Sequence, residues 1–411
     1  MSRAIERDMR TFVGGDGKQG GWARREAWFH DVAVRMCDGY NDFGDPAYLE
    51  GLRRLLYSYD TEARFHTLGK LTMAYQLVGL LAERLRTNRW CAALPESADI
   101  RIERPLVIAG MVRTGSSALH DLMGANPDTQ FLPYWLALHP QPRPPRAQWE
   151  AAYDFQHARM EIDLMFRAGR NVLESIHFLS AEGPDEPGRI TAQGFADERF
   201  EVVNTVPTYS EWYANNIHRD TYRRYKRITQ LIGAYESAPQ RRWLLKYPVF
   251  SRNLEAFLEC FPDACVIWTH RDPAQVLPSY VSLIAHFRGL IEKDIDEARI
   301  AREQLEIWAS AMERCMALRQ GREHQFHDIY FNDFQADPLG EIGRAYARFD
   351  QPFPDASRAV IQKWRDDNPP GKHGEHHYSK EFVGVDRAAI HERFAAYLAR
   401  FPRVLEKRNK A

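Results

Sequence analysis

No run of about eighteen consecutive apolar residues occurs anywhere in the 411 residues, so no helical membrane span is expected. The opening Met-Ser-Arg-Ala-Ile-Glu-Arg-Asp has no apolar core of the secretory type. Cysteine is scarce: Cys37, Cys91, Cys260, Cys265 and Cys315 are odd in number, scattered and free of metal-ligand spacing. Reduced thiols, a cytoplasmic location and no bound metal are the expectation. Net charge is also nearly absent, at −1, which excludes the global basic field that would favour nucleic acid. Any anion site must therefore be local. Neither internal repeats nor low-complexity tracts are present, and nothing in the sequence sets the oligomeric state.

What the chain does have is a hydrophobic fraction of 44%, enough for a sizeable core. The length admits two or three domains, or one large α/β domain carrying a helical extension. Leu52, Leu55 and Leu56, then Leu77, Leu80, Leu81 and Leu85, recur at helical spacing between about residues 47 and 90. Asp60-Thr61-Glu62 is placed to cap the longer run, which Gly69 interrupts. These stripes are packing faces of an N-terminal helical region, 1–100.

Over 101–411 strands and helices alternate. Strand 105–109 precedes helix 116–124, and Pro140-Gln-Pro-Arg-Pro-Pro145 is a surface connector. Residues 148–170 and 208–236 read as helices, Trp243–Pro248 as a strand, 251–260 as a helix and Cys265–His270 as a second buried strand. Short connections of this kind imply parallel strands in a sheet covered on both faces, with ligands beyond the strands' carboxyl ends. The expected fold is a P-loop-like three-layer α/β arrangement behind the helical region.

The segment Pro105-Leu-Val-Ile-Ala-Gly110-Met-Val-Arg113-Thr114-Gly115-Ser116-Ser117-Ala118 carries the chemistry. A strand, a glycine-bounded turn and two serines opening a helix bring backbone N–H groups and the positive helix end to one point, where a phosphate would sit. Gly-x4-Gly is also P-loop spacing. The lysine that would follow Gly115 is missing, with Ser116 in its place, and Arg113 is the loop's only cation. A kinase or other P-loop NTPase is the alternative this spacing raises and the missing lysine opposes. Arg113, Lys246 and Arg271 all fall at predicted strand ends.

Four segments together resemble the sulfotransferases that use 3′-phosphoadenosine 5′-phosphosulfate (PAPS), especially their actinobacterial, mycobacterial-type branch. They are Arg113-Thr-Gly-Ser-Ser, Trp243-Leu-Leu-Lys246-Tyr-Pro248, Phe261-Pro-Asp-Ala-Cys-Val-Ile-Trp-Thr-His-Arg271-Asp-Pro-Ala-Gln-Val-Leu-Pro-Ser279-Tyr, and His373-Gly-Glu-His-His-Tyr378 leading to Phe382-Val-Gly-Val-Asp386. Arg64-Phe-His-Thr-Leu-Gly-Lys70 is similar too. The resemblance implies a PAPS-binding domain over 101–411 that produces adenosine 3′,5′-bisphosphate (PAP) without a metal. Arg113, Thr114, Gly115, Ser116, Ser117 and Ala118 would then hold the 5′-phosphosulfate, and Arg271 with Ser279 the 3′-phosphate. Lys246 would face the transferring group and Phe331 the adenine, while Lys372 and His373 would lie in a basic covering loop.

The chain departs from that family where the base should be. Cytosolic animal members place a histidine two residues after the strand-end lysine, and here Pro248 stands there. Other relatives carry a glutamate about twenty residues past the phosphate loop, whereas Phe131–His139 contains no acid. Candidates are His177 first, then Glu186, Glu182 and His139. A histidine titrates near neutrality, and a glutamate needs burial to do so. The acceptor implied is a small hydroxyl compound, apolar or lipid-like, with Trp135, Tyr209, Trp212 and Tyr213 as candidate pocket walls. A non-catalytic nucleotide-binding protein that kept the cradle and lost the base is a further alternative.

Overall fold

The computed structural model describes residue 12 and residues 21–168, 179–235, 241–369 and 384–406. Five strands, β1 (Leu106–Gly110), β2 (Thr129–Phe131), β3 (Arg242–Lys246), β4 (Cys265–His270) and β5 (Phe326–Tyr330), form one sheet in the order β2-β3-β1-β4-β5. Every pairing is parallel, with Leu106 opposite both Leu244 and Cys265, and His270 opposite Tyr330. All carboxyl ends therefore share one edge. β1 and β4 are buried along their whole length, as strands covered on both faces must be.

Alternation along β1 divides the interior. Val107 and Ala109 join one apolar cluster with Leu245, Val266 and Trp268, while Leu106 and Ile108 join another with Leu244, Ile267 and Ile329. Seven helices matter most for the site: α1 (Glu26–Met36), α2 (Tyr48–Thr61), α3 (Thr67–Ala93), α4 (Ser116–Gly124), α5 (Arg219–Ile232), α6 (Pro273–Gly289) and α7 (Glu297–Arg319). Phe29 of α1, Leu52 and Leu55 of α2, and Leu81 and Leu85 of α3 belong to the same cluster as Val107 and Trp268. The N-terminal helices thus share the sheet's own core.

Three local expectations are corrected. Asp60 does not cap α3: its carboxylate accepts from the N–H groups of Trp22 and Ala23, at 2.6 and 2.9 Å. His66 is the cap, its Nδ1 accepting from Gly69 N at 3.0 Å. The segment 208–236 is two helices, Pro207–Asn215 and α5, parted by an extended Asn216 whose side chain bonds the Trp212 carbonyl. Residues 148–170 likewise divide, into a 3₁₀ turn over Arg146–Ala151 and a helix over Tyr153–Ala168.

Candidate active site

The loop after β1 turns sharply. Arg113 has φ +59° and Gly115 φ +86°, the left-handed region. Gly115 is the residue before α4, and a Cβ there would lie 3.1 Å from the Phe331 ring. Thr114 Oγ1 donates to the Met111 carbonyl at 2.8 Å and shares a 2.7 Å bond with Thr269 Oγ1 on β4. The backbone N–H groups at the start of α4 are thereby held at the sheet edge, a ready anion cradle.

Lys246, the last residue of β3, is buried at 2% exposure. A lysine is kept there only with partners. Its Nζ donates to Ser117 Oγ at 2.9 Å and forms an ion pair with Glu186. Glu186 reaches this point because its loop is stitched to β2: Asp185 N bonds the Leu132 carbonyl at 2.8 Å, and Tyr134 N bonds the Gly183 carbonyl at 3.0 Å. Two more carboxyls adjoin Lys246. Asp121, one turn after Ser117, is pushed up to about 6 by burial, which the Lys246 charge partly offsets. Asp185 is also pushed up to about 6, by burial and then by the neighbouring Glu186 charge.

On the other side of the loop, Arg113 Nε lies 3.2 Å from Ser279 Oγ of α6. Arg271, just past β4, donates from Nη1 to the Arg113 carbonyl at 3.0 Å, and its guanidinium carbon sits 4.0 Å from the Phe331 ring centroid. Asp272 caps α6 by accepting from Ala274 N and binds Arg387 and His391, at 3.0 and 2.8 Å. Phe331 lies just beyond β5, which stops at Tyr330, and opens the next helix, Phe331–Ala336.

The residues singled out in sequence therefore divide. Arg113, Thr114, Gly115, Ser116, Ser117, Lys246, Glu186, Arg271, Ser279 and Phe331 converge on one edge of the sheet; Ala118 follows within α4. Glu182 instead pairs with exposed Arg146. His139 is fixed between Glu83 at 3.0 Å and His157 at 2.9 Å. Trp135, Tyr209 and Tyr213 are core residues, at most 3% exposed. His177, Lys372 and His373 lie outside the described residues. Sequence reasoning passed over Asp121, whose signal is its place four residues after Ser117 on a helix, and Asp185, adjacent to a candidate it did name. Among the described residues no three His, Cys, Asp or Glu side chains are grouped to hold a metal ion, and no helix is long and apolar enough to cross a membrane.

Comparison with known proteins bears on this edge directly. A family model described as "Sulfotransferase family" matches residues 105–355, from β1 to beyond β5. Sulfotransferase STF1 of Mycobacterium tuberculosis H37Rv is 31% identical, with a TM-score of 0.80 over 90% of this chain and 98% of that one. Sulfotransferase STF9 of Mycobacterium avium has a TM-score of 0.81 over 94% and 98% of the two chains; at 23% identity it speaks for the fold alone. The comparison with curated protein sequences found no match. A matched family model across the whole sheet, and a relative at this identity over nearly all of both chains, lead to one conclusion: the chain belongs to the bacterial sulfotransferase family.

Proposed function

We propose that this chain transfers the sulfuryl group of PAPS to a hydroxyl of a small acceptor, with Glu186 as the base. The observation that carries the reading is the buried Lys246 ammonium, held between Ser117 of the phosphate cradle and the Glu186 carboxylate. One cation thus touches both the anion-binding turn and a proton acceptor. The donor set suits the nucleotide. Backbone N–H groups at α4, with Ser116 and Ser117, suit the 5′-phosphosulfate, and Arg271 with Ser279 suits the 3′-phosphate. The Phe331 ring, already carrying the Arg271 guanidinium, offers a face to the adenine.

In the transfer, an acceptor hydroxyl gives its proton to a Glu186 oxygen while its own oxygen bonds to sulfur. The bond from sulfur to the 5′-phosphate oxygen breaks, and PAP leaves with that electron pair. Arg113 and Lys246 face the negative charge that grows on the leaving oxygen. Arg113 acts by charge alone, since a guanidinium keeps its protons. The near-neutral chain favours an uncharged, apolar or lipid-like alcohol as acceptor, and a cytoplasmic setting supplies the nucleotide.

Calorimetry tests the donor: tight binding of PAP without magnesium is expected, and selective binding of Mg-ATP overturns the reading. Kinetics test the base. Glu186→Gln should lower kcat by about 10²–10³-fold with little change in PAP affinity. Near-normal kcat in Glu186→Gln, with its loss in His177→Ala, would move the base to His177.

A further inference from the structure

A roomy cavity lies away from the sheet edge. It has a volume of about 1260 Å³, lies between α2, α3 and α5, and includes none of the cradle residues. Seven arginines line it against four carboxylates. Four of the seven are matched: Arg53 with Glu26, Arg54 with Glu50, Arg219 with Glu255 and Glu259, and Arg223 with Asp220. The other three, Arg84 of α3 and Arg224 and Arg227 of α5, donate to neutral acceptors among the described residues. Arg84, 3% exposed, donates to the carbonyls of Phe43, Gln193 and Asp45 at 2.7, 3.0 and 2.7 Å. Arg224 donates to Asn88 Oδ1 at 2.7 Å and to Gln193 Oε1 at 2.6 Å. Arg227 donates to Ser97 Oγ at 2.8 Å and to two carbonyls at 3.3 and 3.4 Å.

Neutral acceptors satisfy hydrogen bonds without pairing the charge; Arg84 is offset in part by the nearby Asp45 and Asp42 carboxylates and by the Tyr48 ring, 4.1 Å away, whereas Arg224 and Arg227 form no ion pair among the described residues. Burial holds the guanidinium of Arg224 down to about 9 and that of Arg84 down to about 10, and Arg84 adds to the lowering at Arg224. Arg224 and Arg227 are one turn apart on α5 and only half-buried, so both open on the cavity. Beside them Trp212, Ile217 and Ile228 provide an apolar wall, and the space far exceeds a bare ion.

We propose that this cavity binds an organic oxyanion, its carboxylate or phosphate seated against Arg84, Arg224 and Arg227 and its apolar body against Trp212 and Ile217. The floor of the site is the segment that follows Glu186. Gln193 accepts from both Arg84 and Arg224, and Gly194 and Ala196 line the space. Two forms of the same head-group chemistry can be told apart by 2-naphthoate and 2-naphthyl phosphate. Titrated against the full chain, at least one of them should bind, and Arg224→Gln should weaken that binding at least tenfold while leaving the near-ultraviolet circular dichroism unchanged. Equal binding by the wild type and the variant, or no binding of either compound, would overturn the proposal. A measurement that needs no variant is anomalous scattering from wild-type crystals soaked in sodium selenate. A selenium peak among the three guanidinium groups is expected, and peaks at the cradle alone would refute the site.

Discussion

Arg271 joins two kinds of contact at the sheet edge: a bond to the Arg113 carbonyl and a stack on Phe331. Lysine lacks both the planar fork and the stacking surface. Arg271→Lys and Arg271→Ala should therefore both weaken PAP binding, by about tenfold or more for a lost charge-assisted contact. Adenosine 5′-phosphate, which has no 3′-phosphate, should lose much less affinity. Calorimetry with the two nucleotides checks this, and equal losses would remove Arg271 from the 3′-phosphate. Lys246→Met should act differently: in the proposed transfer its charge counts most at the leaving oxygen, so kcat should fall by about 10²–10³-fold with a small change in donor affinity. The convergence of these cations was legible in sequence, since Lys246 ends β3, Arg113 and Arg271 follow β1 and β4, and parallel strands bring their ends together. Glu186 was less so. Its loop arrives through backbone bonds to Leu132 and Tyr134, which no side-chain pattern announces, and its adjacency to Lys246 is a fact of tertiary structure.

At the scale of elements, two joints set the site. The first is between α3 and the end of α6. A Cβ on Gly69 would lie 1.9 Å from the Ile291 carbonyl oxygen, and that carbonyl also accepts from His66 N at 3.1 Å. Gly69→Ala must push the two segments apart, at a cost of about 1–3 kcal/mol, measurable as a lower midpoint of urea unfolding. Sequence reading took Gly69 as an interruption of a helix; it is a contact, and only the partner 222 residues away explains it. The second joint is Asp197, which accepts from Tyr247 OH at 2.9 Å and Arg199 N at 2.8 Å and so ties the Glu186 segment to the end of β3. Burial raises its carboxyl to about 6 against the donors that favour the charge. A folded value above the unfolded one, near 3.9, means the native state holds a proton that the unfolded chain has released. That contribution is present below about pH 4 and lost as pH rises through 6, about 3 kcal/mol in all. Unfolding free energies of the wild type and Asp197→Asn, compared between pH 4 and 7, should converge by roughly this amount as pH rises. A difference constant across that range would show that Asp197 is ionised in the fold.

At the scale of the molecule, the sequence suggests a boundary near residue 100 because the helical stripes end and the strand–helix alternation begins. The packing gives that boundary a different meaning. Phe29, Leu52, Leu81 and Leu85 from the first hundred residues occupy one apolar cluster with Val107, Leu245 and Trp268 of the sheet. Had each side a core of its own, the two would melt separately; a shared core must be lost on both sides at once. We expect one calorimetric transition for the full chain, with van't Hoff and calorimetric enthalpies in agreement. Leu81→Ala tests the coupling. Leu81 is fully buried in α3, and its truncation should cost about 2–5 kcal/mol. The loss should appear in signals from the sheet, such as the near-ultraviolet band to which buried Trp268 contributes, as well as in far-ultraviolet helicity, with both probes shifting to the same lower midpoint. A helical signal that melts early while the sheet's aromatic signal keeps its wild-type midpoint would show that the N-terminal helices fold apart from the sheet.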